Sequence, residues 1–204
     1  MEQLKMILPI PETHPYPKKA RFDFTFPDVA SAFHERQACA SRGMFAFVSW
    51  DWVKPLVAWI GNRKVLEVMA GAGWLARALS EKGINIIATD DYSWIEKREW
   101  ELQTEVKKMD AFSAIEIFGE ESDILIISWP YMDPSAFEAI RKWNEIRPGG
   151  LIIYIGEQEG GCTANEEFFE HFEEVNDDTF NFVIYNYRTW EGLHDTIMLG
   201  KYKL

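Results

Sequence analysis

From residue 64 onward, short apolar runs alternate with amphipathic stretches. Val65 to Met69, Asn85 to Thr89, Asp123 to Ser128 and Gly150 to Ile155 carry apolar residues at successive positions, as strands buried on both faces do, and a weaker strand fits Val106 to Met109. Between them the spacing predicts helices over Trp74 to Lys82, Trp94 to Glu105, Ala111 to Phe118 and Pro134 to Ile146. Strands separated by helices are joined by crossovers and run parallel, which predicts an α/β, doubly wound sheet. Past Glu157 the order changes. A helix from about Asn165 to Glu174, opened by a Thr163-Ala164-Asn165-Glu166 capping box, precedes two strand-like runs, Phe180 to Tyr187 and Thr196 to Tyr202. With only a loop between them these two pair antiparallel, so a mostly parallel seven-stranded sheet closes on a C-terminal antiparallel hairpin.

The first part of the chain reads differently. Residues 1 to 27 carry Pro9, Pro11, Pro15, Pro17 and Pro27, which favours an extended arm lying on the domain. A helix from about Asp28 to Ser41 stops at Gly43, and a second fits Trp50 to Ile60 with Ser49 as its cap and Gly61-Asn62 as its end. We therefore divide the chain into an N-terminal arm and helices, 1–62, packed on a unit of 63–204, the two forming one structural body.

Charge narrows the partners. Lys and Arg number 21 against 33 Asp and Glu, a formal charge of -12, which repels the phosphates of nucleic acids. The two cysteines, Cys39 and Cys162, sit in no CxxC motif, in keeping with a reduced, cytoplasmic setting. No apolar run reaches the ~18 to 20 residues of a membrane span, and no secretory leader pattern opens the chain. His14, His34, His171 and His194 form no ligand pattern, so no metal is expected.

The chemistry concentrates in Lys64-Val65-Leu66-Glu67-Val68-Met69-Ala70-Gly71-Ala72-Gly73-Trp74-Leu75-Ala76, a strand that ends in a glycine turn and opens a helix. Such a turn lets a ligand approach backbone N–H groups at the helix N-terminus. Gly71-Ala72-Gly73-Trp74-Leu75-Ala76 satisfies G-x-G-x-x-(G/A), and Asp90 ends the next strand, as in enzymes that hold the ribose of NAD. Glu67 argues the other way. At the carboxyl end of the first strand it would face a pyrophosphate, and like charges in a poorly solvated crevice repel. S-adenosylmethionine carries a sulfonium and an ammonium group and no phosphate, so it suits a carboxylate there.

On these residues the chain, over about 62 to 204, resembles the class I S-adenosylmethionine-dependent methyltransferases. Glu67, Gly71 and Gly73 match the family's (D/E)-x-G-x-G-x-G motif, with Met69 in place of the first glycine. The resemblance implies that Glu67, Met69, Ala70, Gly71 and Gly73 line the cofactor. It implies too that Asp90 or Asp91 accepts hydrogen bonds from the ribose, and that Asp110-Ala111 reads the adenine unless Asp110 only caps the following helix. Arg147-Pro148-Gly149-Gly150-Leu151 looks like the family's turn before strand five, and the final hairpin is like its strands six and seven.

Ser128-Trp129-Pro130-Tyr131 is similar to the (D/N/S)-P-P-(Y/F/W) motif of nitrogen methyltransferases, with Trp129 in place of the first proline. Methyl transfer needs a neutral nucleophile aimed in line with the sulfonium methyl and shielded from water. Ser128 and the Trp129 carbonyl are candidates to accept an amine's hydrogens, and Tyr131 to stack on a planar acceptor. The implied function is methyl transfer to a nitrogen of a small molecule or protein side chain. An NAD-dependent oxidoreductase and a non-catalytic binding protein of the same fold are the alternatives. Trp74, Trp94 and Trp129 fall near strand tips and suit either an aromatic pocket or plain core. His194 is the one histidine worth testing as a base, and Gly160-Gly161-Cys162 reads as a loop near the acceptor, with Cys162 a remote candidate nucleophile.

Overall fold

Seven strands lie side by side in a computed structural model that describes residues 8–15, 26–93, 100–190 and 192–204. They are β1 (Val65–Val68), β2 (Ile86–Asp90), β3 (Lys107–Lys108), β4 (Ile124–Ser128), β5 (Leu151–Glu157), β6 (Phe172–Glu174) and β7 (Asp195–Tyr202), in the order β3-β2-β1-β4-β5-β7-β6. Strands β1 to β5 run parallel, and β7 is antiparallel to both its neighbours. The sheet is thus mostly parallel with an antiparallel C-terminal end, the expected fold class.

The apolar runs explain why the sheet is covered on both sides. Successive residues of a strand face opposite ways. Val65, Ile124, Ile126, Ile153 and Ile155 bury against helices α2 (Trp50–Ile60), α3 (Trp74–Glu81) and α7 (Asp178–Asn186). Their alternates Leu66, Leu125, Ile127, Ile152 and Tyr154 bury against α4 (Ala111–Phe118), α5 (Ser135–Ile146) and α6 (Glu166–Glu170). Helix α1 (Phe26–Ala40) precedes these layers, and Pro27 in its first turn gives up an N–H that would find no intrahelical partner there. Residues 8–15 are held to the domain: the Leu8 carbonyl accepts from Arg77 Nη1 at 2.6 Å and the Pro11 carbonyl from the Trp50 N–H at 2.9 Å. Among the described residues no helix is long and apolar enough to cross a membrane.

Several expectations fail locally. Residues 180–187 form no strand. Residues 180–186 belong to α7 and Tyr187 follows its end, because Asp177 Oδ1 accepts from the Thr179 and Phe180 N–H groups at 2.9 Å each and so starts a helix, which buries Phe180 and Val183. The antiparallel end is therefore β6 with β7, Phe172 opposite Tyr202, and α7 intervenes where a hairpin loop was expected. The helix expected to reach Glu174 stops at Glu170 for the same reason, since 172–174 is that edge strand. Asn165 caps it alone, taking the Phe168 N–H on its side chain at 3.1 Å, while Thr163 Oγ1 is committed to Tyr154 Oη and the Glu157 N–H, both at 2.7 Å. Ser49 precedes α2 but makes no side-chain cap bond. Of the helix expected over 94–105, residues 94–99 lie outside the described residues and 100–105 are not helical. That latter stretch is instead tied over the glycine turn by the Gln103 N–H, which donates to the Ala72 carbonyl at 2.8 Å.

Candidate functional site

Sheet order reverses between β1 and β4, and at such a switch point the loops leaving adjacent strands diverge to open a crevice at the carboxyl ends. A cavity of about 390 Å³ lies there. Its lining takes in Glu67, Met69, Ala70, Gly71, Asp90, Asp91, Asp110, Ala111 and the whole of Ser128-Trp129-Pro130-Tyr131. Of the residues to which the resemblance gives a cofactor or acceptor role, Gly73 stands away from it. Gly73 adopts φ +78° at the start of α3, and an added Cβ there would lie 2.7 Å from Val106 Cγ2, so its place is the packing behind the turn.

Glu67 sits beneath the turn with only 1% of its surface exposed. The Ala76 N–H, in the first turn of α3, donates to its carboxyl group, and Oε2 is buried with no hydrogen-bond partner. Burial, and then the nearby Asp90, push the carboxyl up to about 8. The folded protein therefore holds this proton more tightly than the unfolded chain does, whose carboxyl titrates near the ordinary 4.5. Its contribution to stability is complete below pH 4.5 and is lost as pH rises towards 8. We expect the melting temperature to fall across that window and the fall to flatten in Glu67→Gln, as scanning calorimetry at several pH values will show.

Asp90 ties two strand ends together. Its Oδ2 accepts from the Gly71 N–H at 2.8 Å and its Oδ1 from the Tyr92 N–H at 2.7 Å, both within a site where Asp90 is 3% exposed. Tyr92 Oη reaches back to the Gly71 carbonyl at 3.2 Å. Asp91 is half-buried and holds Ser93 through its N–H and hydroxyl at 2.9 Å each. Asp110 does cap α4: its carboxylate takes the Ser113 N–H at 2.9 Å and hydroxyl at 2.8 Å, and the Ser113 N–H bond holds it below the usual carboxylate range. It also lines the cavity.

Met69, Tyr92, Trp129 and Ala164 are the non-glycine residues with positive φ among those described, and the first three come within two residues of the carboxyl ends of β1, β2 and β4. At Met69, φ +58° is the left-handed conformation that a glycine adopts freely, so methionine occupies a glycine backbone. At Trp129 the reverse holds. Its φ is +51° and its N–H donates to the Ile155 carbonyl at 2.7 Å, whereas proline is locked near φ −65° and has no N–H. Ser128-Trp129-Pro130-Tyr131 is therefore no conformational copy of a motif with proline at its second position.

The Trp129 ring is fixed from behind and in front. Its Nε1 donates to Asp195 Oδ2 at 3.4 Å, and the same buried carboxylate accepts from Tyr187 Oη at 2.6 Å and from Thr189 Oγ1. The Phe45 ring stacks on Trp129 at 6.3 Å between centroids. Trp74 also lines the cavity and donates its Nε1 to the Arg42 carbonyl at 3.0 Å, while Trp94 lies outside the described residues. Tyr131 stands exposed at the rim.

Pattern reading missed the wall contributed by the N-terminal segment, chiefly Arg36, Gly43, Met44 and Phe45. Gly43 is the sole clue in the sequence. It adopts φ +75°, and an added Cβ would lie 2.6 Å from Ala72 Cβ, so this segment rides directly on the glycine turn. Cys162 also lines the cavity, and burial and the neighbouring Glu157 push its thiol up to about 11. Glu157 closes that loop, taking the Cys162 N–H at 2.7 Å and the His194 N–H at 3.0 Å. The His194 side chain is exposed and does not line the cavity.

No protein-family model matches the chain, and neither does any curated protein. Among solved structures it is similar to a TehB-like SAM-dependent methyltransferase from Corynebacterium glutamicum, at 13% identity over 85% of this chain and 99% of that one, with a TM-score of 0.52. It is also similar to 1,6-didemethyltoxoflavin-N1-methyltransferase from Burkholderia thailandensis, at 16% identity over 94% of each chain and a TM-score of 0.47. A chain whose sheet order is 3-2-1-4-5-7-6, with helices on both faces and a site at the switch point, thus has the fold of the class I S-adenosylmethionine-dependent methyltransferases.

Proposed function

We propose that the protein is an S-adenosylmethionine-dependent methyltransferase, with residues 63–204 as the cofactor-binding unit and 1–62 as the cover of its site. One observation carries the reading: a fully buried carboxyl, Glu67, with one oxygen unpartnered, lies beneath a glycine turn at the switch point. A buried acceptor without a donor is costly, and a ligand bearing a cationic donor removes that cost. A dinucleotide brings a pyrophosphate to the same turn and worsens it.

The residues present fit the cofactor. Glu67 would hold its ammonium group, the Met69-Ala70-Gly71 backbone would border its amino-acid part, and Asp90 and Asp91 would accept the ribose hydroxyls on lone pairs left over from their backbone bonds. Asp110 and Ala111 would border the adenine. When bound, the cofactor supplies an electrophilic methyl: the acceptor–carbon bond forms as the sulfur–carbon bond breaks, and the electron pair stays on sulfur. The chain's part is to orient and to exclude water. Phe45, Trp74 and Trp129 provide an apolar wall, and the Ser128 hydroxyl and Trp129 carbonyl offer acceptors for the hydrogens of an amine on a small molecule. The nitrogen preference rests on those two acceptors, since the backbone at Trp129 is not that of the proline motif.

Titration calorimetry tests this. S-adenosylhomocysteine is expected to bind, and at pH 6.5 to release about one proton as the ammonium drives Glu67 to ionise, which appears as a binding enthalpy that depends on the buffer. At pH 8 Glu67→Gln should weaken binding roughly 10- to 150-fold, the worth of one charge-assisted hydrogen bond. Binding of NADH with none of S-adenosylhomocysteine would overturn the reading.

A further inference from the structure

We propose that Arg36 is an anchor for a carboxylate on the methyl acceptor, so that the acceptor is a small anionic aromatic molecule; this rests on the methyltransferase reading above. Arg36 is the only basic residue among the described lining of the cavity. Its Nε is shielded from solvent and has no hydrogen-bond partner, and among the described residues Arg36 forms no ion pair. A half-buried guanidinium without an acceptor is an incomplete arrangement, and its planar fork matches a carboxylate in a bidentate pair.

The acids that share the cavity do not complete it. Asp90, Asp91, Asp110 and Asp133 hold backbone N–H groups instead, and neither these nor Glu67 and Glu138, the other acids of the lining, pair with Arg36. Position separates Arg36 from the cofactor's nucleoside end as well. Its charge acts on the Cys162 thiol in the loop after β5, whereas Asp90, Asp91 and Asp110 lie beyond β1 at the other end of the sheet. On the proposal Arg36 would stand on the side of Trp129 and Cys162, where an acceptor would enter. The aromatic part of the assignment comes from the same wall: Phe45 and Trp129 are stacked and Tyr131 stands at the rim, surfaces that suit a flat ring.

The test uses the full chain saturated with S-adenosylhomocysteine and titrated with 2-aminobenzoate and 4-aminobenzoate, each against its carboxamide. The acids are expected to bind at least tenfold more tightly than the amides. In Arg36→Gln that preference should vanish while the affinity for S-adenosylhomocysteine stays within threefold of wild type. Equal binding of acid and amide, or binding of neither, would overturn the assignment. So would a tenfold loss of S-adenosylhomocysteine affinity in Arg36→Gln with 5′-methylthioadenosine unaffected, because Arg36 would then hold the cofactor's own carboxylate. Failure of S-adenosylhomocysteine to bind the wild-type chain would instead remove the methyltransferase reading, and this proposal with it.

Discussion

Asp90→Ala is expected to lower the melting temperature by roughly 6 to 12 °C and to weaken S-adenosylhomocysteine binding more than 100-fold. The first number follows from two backbone donors. The Gly71 and Tyr92 N–H groups both end on this carboxylate, in a place where Asp90 is 3% exposed. Removing their acceptor leaves two shielded donors at ~1 to 3 kcal/mol each, about 3 kcal/mol in all once water enters the gap. A domain of this size loses roughly 2 to 4 °C per kcal/mol. The second number adds the ribose bonds to the loss of turn geometry, because the residue proposed to read the ribose also fixes the glycine turn. Asp90→Asn is the informative companion. Its amide keeps one acceptor but turns an NH₂ towards the other N–H, so about half of the thermal loss should remain. Equal stability of wild type and Asp90→Ala, measured by calorimetry, would show that the turn does not depend on this side chain.

The two departures from the family motifs should behave oppositely. Trp129→Pro writes the second residue of the nitrogen motif into the chain, yet it is expected to cost about 3 kcal/mol or more and to abolish folding at moderate temperature. Proline cannot reach φ +51° and cannot donate to the Ile155 carbonyl. Trp129→Phe separates backbone from ring: it keeps the N–H and loses only the bond to Asp195, so it should stay folded. Met69→Gly is expected to lie within about 1 kcal/mol of wild type. Relief of a left-handed side chain, ~1 to 2 kcal/mol, is offset by glycine's larger entropy loss and by the packing of a half-buried methionine. Denaturant melts of the three variants decide the matter, and a stable Trp129→Pro would contradict the backbone described here.

What the sequence could show depended on whether a signal was local. Strand ends were legible because apolar runs give way to the glycine turn after Met69, to Asp90 and to Ser128, and a parallel sheet brings such ends to one edge without further information. Helix α7 was misread because Phe182, Ile184 and Tyr185 are exposed apolar residues that fill in a helical stripe until it looks like a continuous strand. The Asp177 cap, two residues before Thr179, was the local signal that would have corrected it. Edge strand β6 carries Phe172, four residues after Phe168, a spacing shared with a helix face, so only pairing with β7 distinguishes the two. Arg36 and the wall from Gly43 to Phe45 were illegible for another reason. Their place in the cavity depends on how the N-terminal segment packs over the glycine turn, a long-range contact that no periodicity encodes.

A crystal structure of the protein with S-adenosylhomocysteine decides whether Glu67 recognises the cofactor. The ligand's ammonium is expected within hydrogen-bond distance of the Glu67 carboxyl and its ribose hydroxyls on Asp90 or Asp91. A ligand bound elsewhere, or one seated in the cavity with Glu67 Oε2 still lacking a partner, would contradict it.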